Sequence, residues 1–163
     1  MNTGELTESL TTLLGELVEG SPETGAFMLN PRDPGLLASL DRLSADEASA
    51  THNGGASIAA HVDHLRYGLS LMNRWAAGEN PFQDADWTAS WEMLTVSDAE
   101  WKQRRAALRD EAERWLATLE QPREVNQIEL NGILGSIAHL AYHFGAIRQM
   151  DRRLRGPSAK PES

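Results

Sequence analysis

The sequence predicts an all-α protein organised as a four-helix bundle. Four segments place apolar residues three or four positions apart, which is the spacing of an amphipathic helix. No segment alternates apolar and polar residues with a period of two, as a half-buried strand would. Four long amphipathic helices bury their apolar faces most simply against one another. We expect an up-down-down-up type of bundle, with short extra helices and a long loop after the first helix.

The first long helix is predicted from about Glu5 to Val18, where leucines recur at helical spacing. Gly20-Ser21-Pro22 ends it, and residues 21–35 are rich in proline, glycine and asparagine, which is typical of a loop. A short helix is predicted at residues 36–40. Ser44-Ala45-Asp46-Glu47 has the form of a capping box and predicts one further helical turn.

The second long helix is predicted from Ser57, a suitable N-cap residue, to about Ala77, where Gly78-Glu79-Asn80-Pro81 ends it. The stretch that follows, up to about Thr95, has no clear periodicity and predicts a long loop with at most a turn of helix. A turn is also expected before this helix, at residues 52–55.

The third long helix begins with the clearest cap in the chain, Ser97-Asp98-Ala99-Glu100, and is expected to end near Gln121-Pro122. Residues 123–130 allow no assignment. The last helix is predicted from about Leu130 to Leu154, with Gly156-Pro157 closing it.

Composition narrows the function classes. A chain of 163 residues predicts one domain, here residues 1–157, followed by a flexible tail at residues 158–163. The net charge of −9 argues against nucleic acid or an anionic membrane as a partner, since both need a basic face. The chain has no cysteine, which excludes disulfides, thiolate nucleophiles and cysteine-ligated zinc. With no apolar stretch near ~20 residues and no signal-peptide pattern, we expect a cytoplasmic protein.

Four of the five histidines fall into two helical pairs, His61 with His64 and His139 with His143. Residues three or four apart share a helix face, so each helix presents two imidazoles together. At about 100° per residue, both pairs lie at the edges of the apolar stripes. Neutral imidazole is the commonest metal ligand in proteins. The pattern therefore predicts a divalent-metal site between two helices, although two such pairs could also arise by chance as partly buried polar residues.

These same residues resemble a known family, the DinB-like superfamily of bacterial four-helix metalloproteins. Ser57 precedes His64-Leu65 by seven positions, which resembles that family's Ser/Thr-x6-His-hydrophobe motif. The segment from His139 to Ile147 resembles its His-x3-His-x-Gly-Gln-Ile/Leu motif, and residues 43–48 resemble the Leu-Ser/Thr-x-x-x-Ala segment before the second helix. With the order of the helices, the resemblance covers most of residues 5–154.

The resemblance implies a metal triad of His64, His139 and His143. Two positions depart from the family pattern. Ala146 stands where glutamine is common, and Ala56 replaces a common tryptophan. His61 is an additional histidine, for which three roles remain open: a fourth ligand, a general base, or a residue at the edge of the core.

The implied cofactor is a divalent metal ion, with zinc or nickel favoured and iron(II) or manganese also compatible with imidazole ligands. The leading hypothesis is a metal-dependent enzyme, a transferase or isomerase that acts on a small molecule with a low-molecular-weight thiol. The alternatives are a non-catalytic metal-binding stress or sensor protein, a dimeric structural protein, and a vestigial site. Exposed apolar faces on such bundles commonly pair, so a homodimer is expected.

Two further groups of residues allow both a functional and a structural interpretation. Trp87 and Trp91, with Phe82, could line or cover the site, or could simply cover the end of the bundle. Arg66 and the arginines of residues 148–155 could attract an anionic substrate. Basic residues late in a helix are also expected from the helix dipole alone, and this second interpretation is favoured.

Overall fold

The computed structural model describes residues 2–51 and 54–154, and within these ranges the protein is all-helical. The only β-type pairing among the described residues is an isolated bridge between Asn2 and Glu124. Short 3-10 helices span Ala89–Trp91 and Arg152–Leu154. The α-helices are α1 (Thr7–Glu19), α2 (Gly35–Leu40), α3 (Ala45–Ser49), α4 (Ile58–Ala76), α5 (Asp98–Leu119) and α6 (Gln127–Met150).

Three of the predicted helix caps are present. The Ser44 and Ser97 side chains each accept a hydrogen bond from the backbone of a glutamate three residues on, in complete capping boxes. Ser57 accepts from the Ala60 backbone N–H and caps α4. The helix α6 begins at Gln127, three residues before the predicted start, because Asn126 forms a capping box with Glu129.

The helices α4 and α5 run parallel. The Asp63 carboxylate of α4 accepts a hydrogen bond from Arg104 of α5, at 2.8 Å. Nearly three turns further along α4, Asn73 donates to the Glu111 carboxylate of α5, at 2.7 Å. The residue numbers rise together in both helices, so the connecting segment, residues 77–97, must return along the length of the bundle.

The helix α6 runs antiparallel to α4, since His61 lies against His143 and His64 lies against His139. The helix α1 runs antiparallel to α5. The Thr3 backbone N–H donates to the Arg123 carbonyl just beyond the end of α5. At the other end of α1, Gly15 faces Leu116. Taking α1 as up, α4 and α5 are down and α6 is up, which is the predicted up-down-down-up order.

The core lies between the four long helices, and its two largest fully buried side chains are Trp115 and Phe144. The buried Trp115 indole N–H donates to the Ser136 hydroxyl of α6, at 2.9 Å. A second buried indole, that of Trp101, donates to the Leu43 carbonyl, at 2.8 Å. Each buried indole thus has an acceptor, which removes the cost of an unpaired donor in the core.

The long loop after α1 is fixed both at its ends and in its middle. Its two ends approach closely, since Gly20 and Gly35 both adopt positive φ and a Cβ on Gly35 would lie 2.4 Å from the Gly20 nitrogen. In its middle, the buried Glu16 carboxylate accepts hydrogen bonds from the backbone N–H groups of residues 27, 28 and 29, at 2.5 to 3.2 Å. One carboxylate therefore satisfies three consecutive loop donors.

The same loop is also paired with α6. The fully buried Asp33 carboxylate accepts from the Arg148 guanidinium, which lies 3.9 Å from the centre of the Phe144 ring. Asp33 also accepts from the Gly35 N–H, at 3.2 Å. Arg148 is thus engaged by the loop, a partner that the sequence analysis did not foresee.

No α-helix of the described ranges is both long and apolar enough to span a membrane. The helix α6 leaves large apolar side chains exposed on one side, those of Ile128, Leu134 and Tyr142. The homodimer stays a prediction, and this face of α6 is where we expect it. Residues 52 and 53 of the predicted turn, Gly156-Pro157 and the tail at 158–163 lie outside the described residues.

Replacing Glu16 with glutamine tests the loop anchor. The variant keeps the side-chain size but removes the charge and one acceptor, so the free energy of unfolding should fall by about 2 kcal/mol, the order of a hydrogen bond to a charged group. Chemical denaturation of the two proteins at pH 7 measures the difference. Glu19→Gln, on the exposed side of the same helix, should change stability by less than about 0.5 kcal/mol.

The difference between wild type and Glu16→Gln should also depend on pH. Burial opposes ionisation of Glu16, but the N–H groups of Leu29, Phe27 and Met28 outweigh it and lower the pKa below the ordinary 4.5. A carboxyl whose pKa is lowered on folding stabilises the protein above its unfolded pKa, and this contribution is lost as pH falls through the folded pKa. The difference in free energy of unfolding between the two proteins should be largest at pH 6 and should shrink below about pH 4.5. If it did not change at acid pH, the ionised Glu16 carboxylate would not be what holds the loop.

Candidate metal centre

The structure brings the four helix-borne histidines together where α4 and α6 cross. His61 and His64 lie one turn apart on α4, and His139 and His143 lie one turn apart on α6. Because the helices are antiparallel, the first residue of one pair meets the second of the other. His64 and His143 are buried, whereas His61 and His139 are partly exposed. The cluster thus reaches deeper than the core edge that the sequence predicts.

Three of these imidazoles direct one nitrogen to a common point. His139 Nε2 lies 3.0 Å from His64 Nε2 and 3.0 Å from His143 Nε2. One ligand nitrogen from each of the three residues lies within 4.8 Å of the other two. Tetrahedral zinc with Zn–N distances of 2.0–2.1 Å would separate its nitrogen ligands by about 3.3 Å. The spacing of the three imidazoles therefore fits a divalent ion.

Ser90 fixes the tautomer of His64. The Ser90 hydroxyl lies 2.8 Å from His64 Nδ1 and donates its hydrogen to the Trp87 carbonyl, at 2.7 Å. Since that hydrogen is already used, His64 Nδ1 must be the donor to the Ser90 oxygen. A neutral His64 with its proton on Nδ1 has a free lone pair on Nε2. That lone pair faces His139, which is the form that a metal ligand needs.

His61 lies on the opposite side of the His143 ring from the three Nε2 atoms. The Nδ1 atoms of His61 and His143 are 2.9 Å apart, so one of them donates to the other. When His143 Nε2 carries the lone pair, His143 Nδ1–H is the donor and His61 the acceptor. This position favours an orienting role for His61 over that of a fourth ligand. Its role as a general base stays a prediction.

Two tryptophans of the α4–α5 segment lie over the imidazoles. The Trp91 ring stacks on His64 with centroids 4.2 Å apart, and Trp87 lies 5.6 Å from the same ring. Asp86 holds this segment in place, because its carboxylate accepts from two backbone N–H groups and its own N–H donates to the Tyr67 hydroxyl. Both tryptophans thus border the site, whereas Phe82 packs on Trp75 further along α4.

Burial keeps the imidazoles neutral. Burial, with smaller contributions from the neighbouring histidines, lowers the pKa of His64 to about 4 and that of His143 to about 3. Burial also lowers the pKa of His61 and of His139. At neutral pH all four rings are therefore uncharged, and the lone pairs that ligate metals are available.

The arginines near the site are paired with acids. Arg66 and Arg104 both donate to the Asp63 carboxylate, at 2.9 and 2.8 Å. Arg153, which lies beyond the end of α6, pairs with Asp151 and Glu47. Each of these arginines already has a carboxylate partner, which weakens the case for an anionic substrate, whereas the helix-dipole interpretation stays a prediction. Arg155 lies outside the described residues.

The fold and the site together define a four-helix bundle with a buried three-histidine group between two antiparallel helices. A comparison with protein families matches residues 34–147 to the model of the DinB superfamily. The chain belongs to the DinB superfamily, as the motifs around the histidines predicted. Comparisons with curated proteins and with solved structures gave no significant match.

The sequence did not reveal Ser90 as part of the site. Its hydroxyl faces His64 only because the 3-10 helix Ala89–Trp91 returns over α4. The nearest indication in the sequence is the pair Trp87 and Trp91, which flank Ser90 and which the sequence analysis offers as residues that could line or cover the site. The assignment of His64, His139 and His143 as ligands itself stays a prediction that their convergence supports.

Replacing Ser90 with alanine tests the hydrogen bond to His64. Without its acceptor, His64 can take the other tautomer and turn its lone pair away from the centre, so metal affinity should fall about 10- to 100-fold. Competition with a chromophoric chelator measures the affinity. Thr88→Ala, an exposed position of the same segment, should bind metal as wild type does. Equal affinities for Ser90→Ala and wild type would contradict the orienting role.

Proposed function

We propose that this protein is a metal-dependent enzyme whose divalent ion is held by His64, His139 and His143. The observation that carries the proposal is the convergence of three Nε2 atoms from two helices, with the His64 lone pair fixed inward by Ser90. Membership of the DinB superfamily supports it. With lone pairs on the Nε2 atoms of His64 and His143, a single hydrogen on His139 Nε2 could satisfy only one of them, whereas an ion satisfies all three.

The ligand set favours zinc or nickel, with iron(II) and manganese compatible. When bound, such an ion supplies a Lewis acid that polarises an oxygen or sulfur and lowers the pKa of a coordinated water or thiol. Three protein ligands leave room for a substrate atom in the coordination shell, which is the arrangement of catalytic rather than structural zinc sites.

The chain's own residues would hold and shield this centre. The three imidazoles bind the ion, while Ser90 and His61 orient His64 and His143. Trp91 covers the His64 ring and excludes water from that side. The protein has no cysteine, so any thiol in the reaction must come with a small molecule. We propose a transferase or isomerase that uses a low-molecular-weight thiol.

The metal content of histidine variants tests the binding site. Protein purified without a histidine tag should carry one divalent ion per chain, and His64→Ala or His143→Ala should lose it. His61→Gln should keep the stoichiometry but bind about tenfold less tightly, because it removes only an orienting partner. Elemental analysis after dialysis measures the content, with circular dichroism to confirm folding. Metal content that neither alanine variant changes would exclude this site.

Thiol-dependent turnover tests the enzyme. Metal-loaded protein should accelerate transfer between small thiols and electrophiles, a chelator should abolish the rate, and the same ion should restore it. His143→Ala, which lacks a ligand, should show only the uncatalysed rate. If the site were fully loaded with metal and no combination of thiol and electrophile turned over, the non-catalytic sensor or structural role would be favoured instead.

A further inference from the structure

A cavity of about 230 Å³ opens beside the histidine cluster, between α4 and α6. His139 lines it, and so does Trp87, whose ring lies 5.6 Å from that of His64. The cavity therefore adjoins the candidate metal centre along the helix axes, toward the C-terminal end of α4. None of the roles assigned above to the histidines, Ser90 or Trp91 uses this space.

The walls of the cavity are apolar. Six large side chains line it, those of Leu65, Leu69, Met72, Phe82, Trp87 and Leu140. The only hydroxyl, that of Ser136, already accepts from Trp115 and donates to the Ile133 carbonyl. His139 is the only titratable group in the lining. Apart from His139, the lining offers no partner to a charged or strongly polar group, which would lose its hydration here, so the cavity selects against such groups.

Glycines make the space. Gly68, Gly132 and Gly135 all line the cavity. A Cβ on Gly132 would lie 2.4 Å from the Trp75 ring, so this glycine lets the indole of α4 pack directly against α6. A Cβ on Gly135 would meet no atom within 4 Å, so its missing side chain leaves room for something else. Gly132 and Gly135 each destabilise α6 relative to alanine, and the open space beside the histidines is what this loss of helix stability provides.

We propose that this cavity binds an uncharged hydrocarbon group of the substrate, an aromatic ring or a short aliphatic chain, while the reacting atom lies at the histidine cluster. The volume supports this size, since a dry cavity of about 150 Å³ already holds benzene, whereas whole drug-sized ligands need about 300 Å³ or more. The inference deepens the proposed function and rests on it: the cavity selects the apolar part and the imidazoles hold the ion.

Binding of a series of plain alcohols tests the cavity without any knowledge of the substrate. In 15N-labelled protein, 1-butanol, 1-pentanol and 1-hexanol should shift the amide signals of Gly68, Gly132 and Gly135. Affinity should rise up to about fourfold for each added methylene. Glycerol, a polar molecule of similar size to butanol, should give no saturable shift of these signals. Shifts that arise elsewhere, or an affinity that does not increase with chain length, would overturn the proposal.

A pair of glycine variants ties the binding to this cavity. Gly135→Leu should fill the space and weaken 1-hexanol binding at least tenfold. Gly145 lies on the same helix but does not line the cavity, and a Cβ on it would meet no atom within 4 Å. Gly145→Leu should therefore leave the affinity within twofold of wild type. Leucine favours a helix over glycine, so both variants should fold. An equal loss in both variants would contradict the site.

Loading the protein with cobalt(II) tests whether an alcohol in the cavity lies next to the metal centre. In cobalt-loaded protein, the protons of bound 1-hexanol should relax faster than in zinc-loaded protein, because the cavity borders His139. Saturable binding without this effect would overturn the link between cavity and centre, although metal binding itself would stand. If no ion binds while the alcohols still do, the proposed function fails and the apolar site alone remains.

Discussion

The whole arrangement depends on one constraint: a neutral imidazole carries one proton on two nitrogens. When several imidazoles are buried together, each needs a donor for one nitrogen and an acceptor for the other. Here the outward nitrogens of His64 and His143 are matched by Ser90 and His61. The inward nitrogens are then left with lone pairs and no protein donor except His139. A cation is the partner that best completes such a group.

The rest of the fold holds the elements that meet this constraint. The antiparallel contact of α4 and α6 sets the spacing of the histidine pairs, and Asp86 with Tyr67 keeps Ser90 and Trp91 over them. The loop after α1 contributes less directly. Its Asp33 pairs with Arg148 and fixes the C-terminal part of α6, one turn beyond His143. The Ser57 and Asn126 caps, the Trp115–Ser136 hydrogen bond and this ion pair all act on α4 or α6.

Much of this could be predicted from the sequence, because it depends on local patterns. Ser44, Ser57 and Ser97 mark helix starts by a chemistry that acts within three residues. The histidine spacing likewise indicates a shared face. The start of α6 was predicted too late, since asparagine as an N-cap before Gln127 lies outside the apolar pattern on which the prediction relied. Ser90 and the apolar cavity could not be predicted, because both depend on how a loop returns across two helices, which no local pattern encodes.

The parallel course of α4 and α5 has a consequence for how such a site can change. A connection between parallel helices of this length must travel roughly 30 Å back before the next helix starts. In this chain that return path runs over the imidazoles and supplies Ser90, Trp87 and Trp91, whereas all four histidines belong to the helices. Substitutions along the return path can therefore alter what approaches the centre and leave the histidine positions intact. The topology thus places the candidate metal ligands on the helices and the residues that cover them on the connecting segment, so that natural variation can act on each independently.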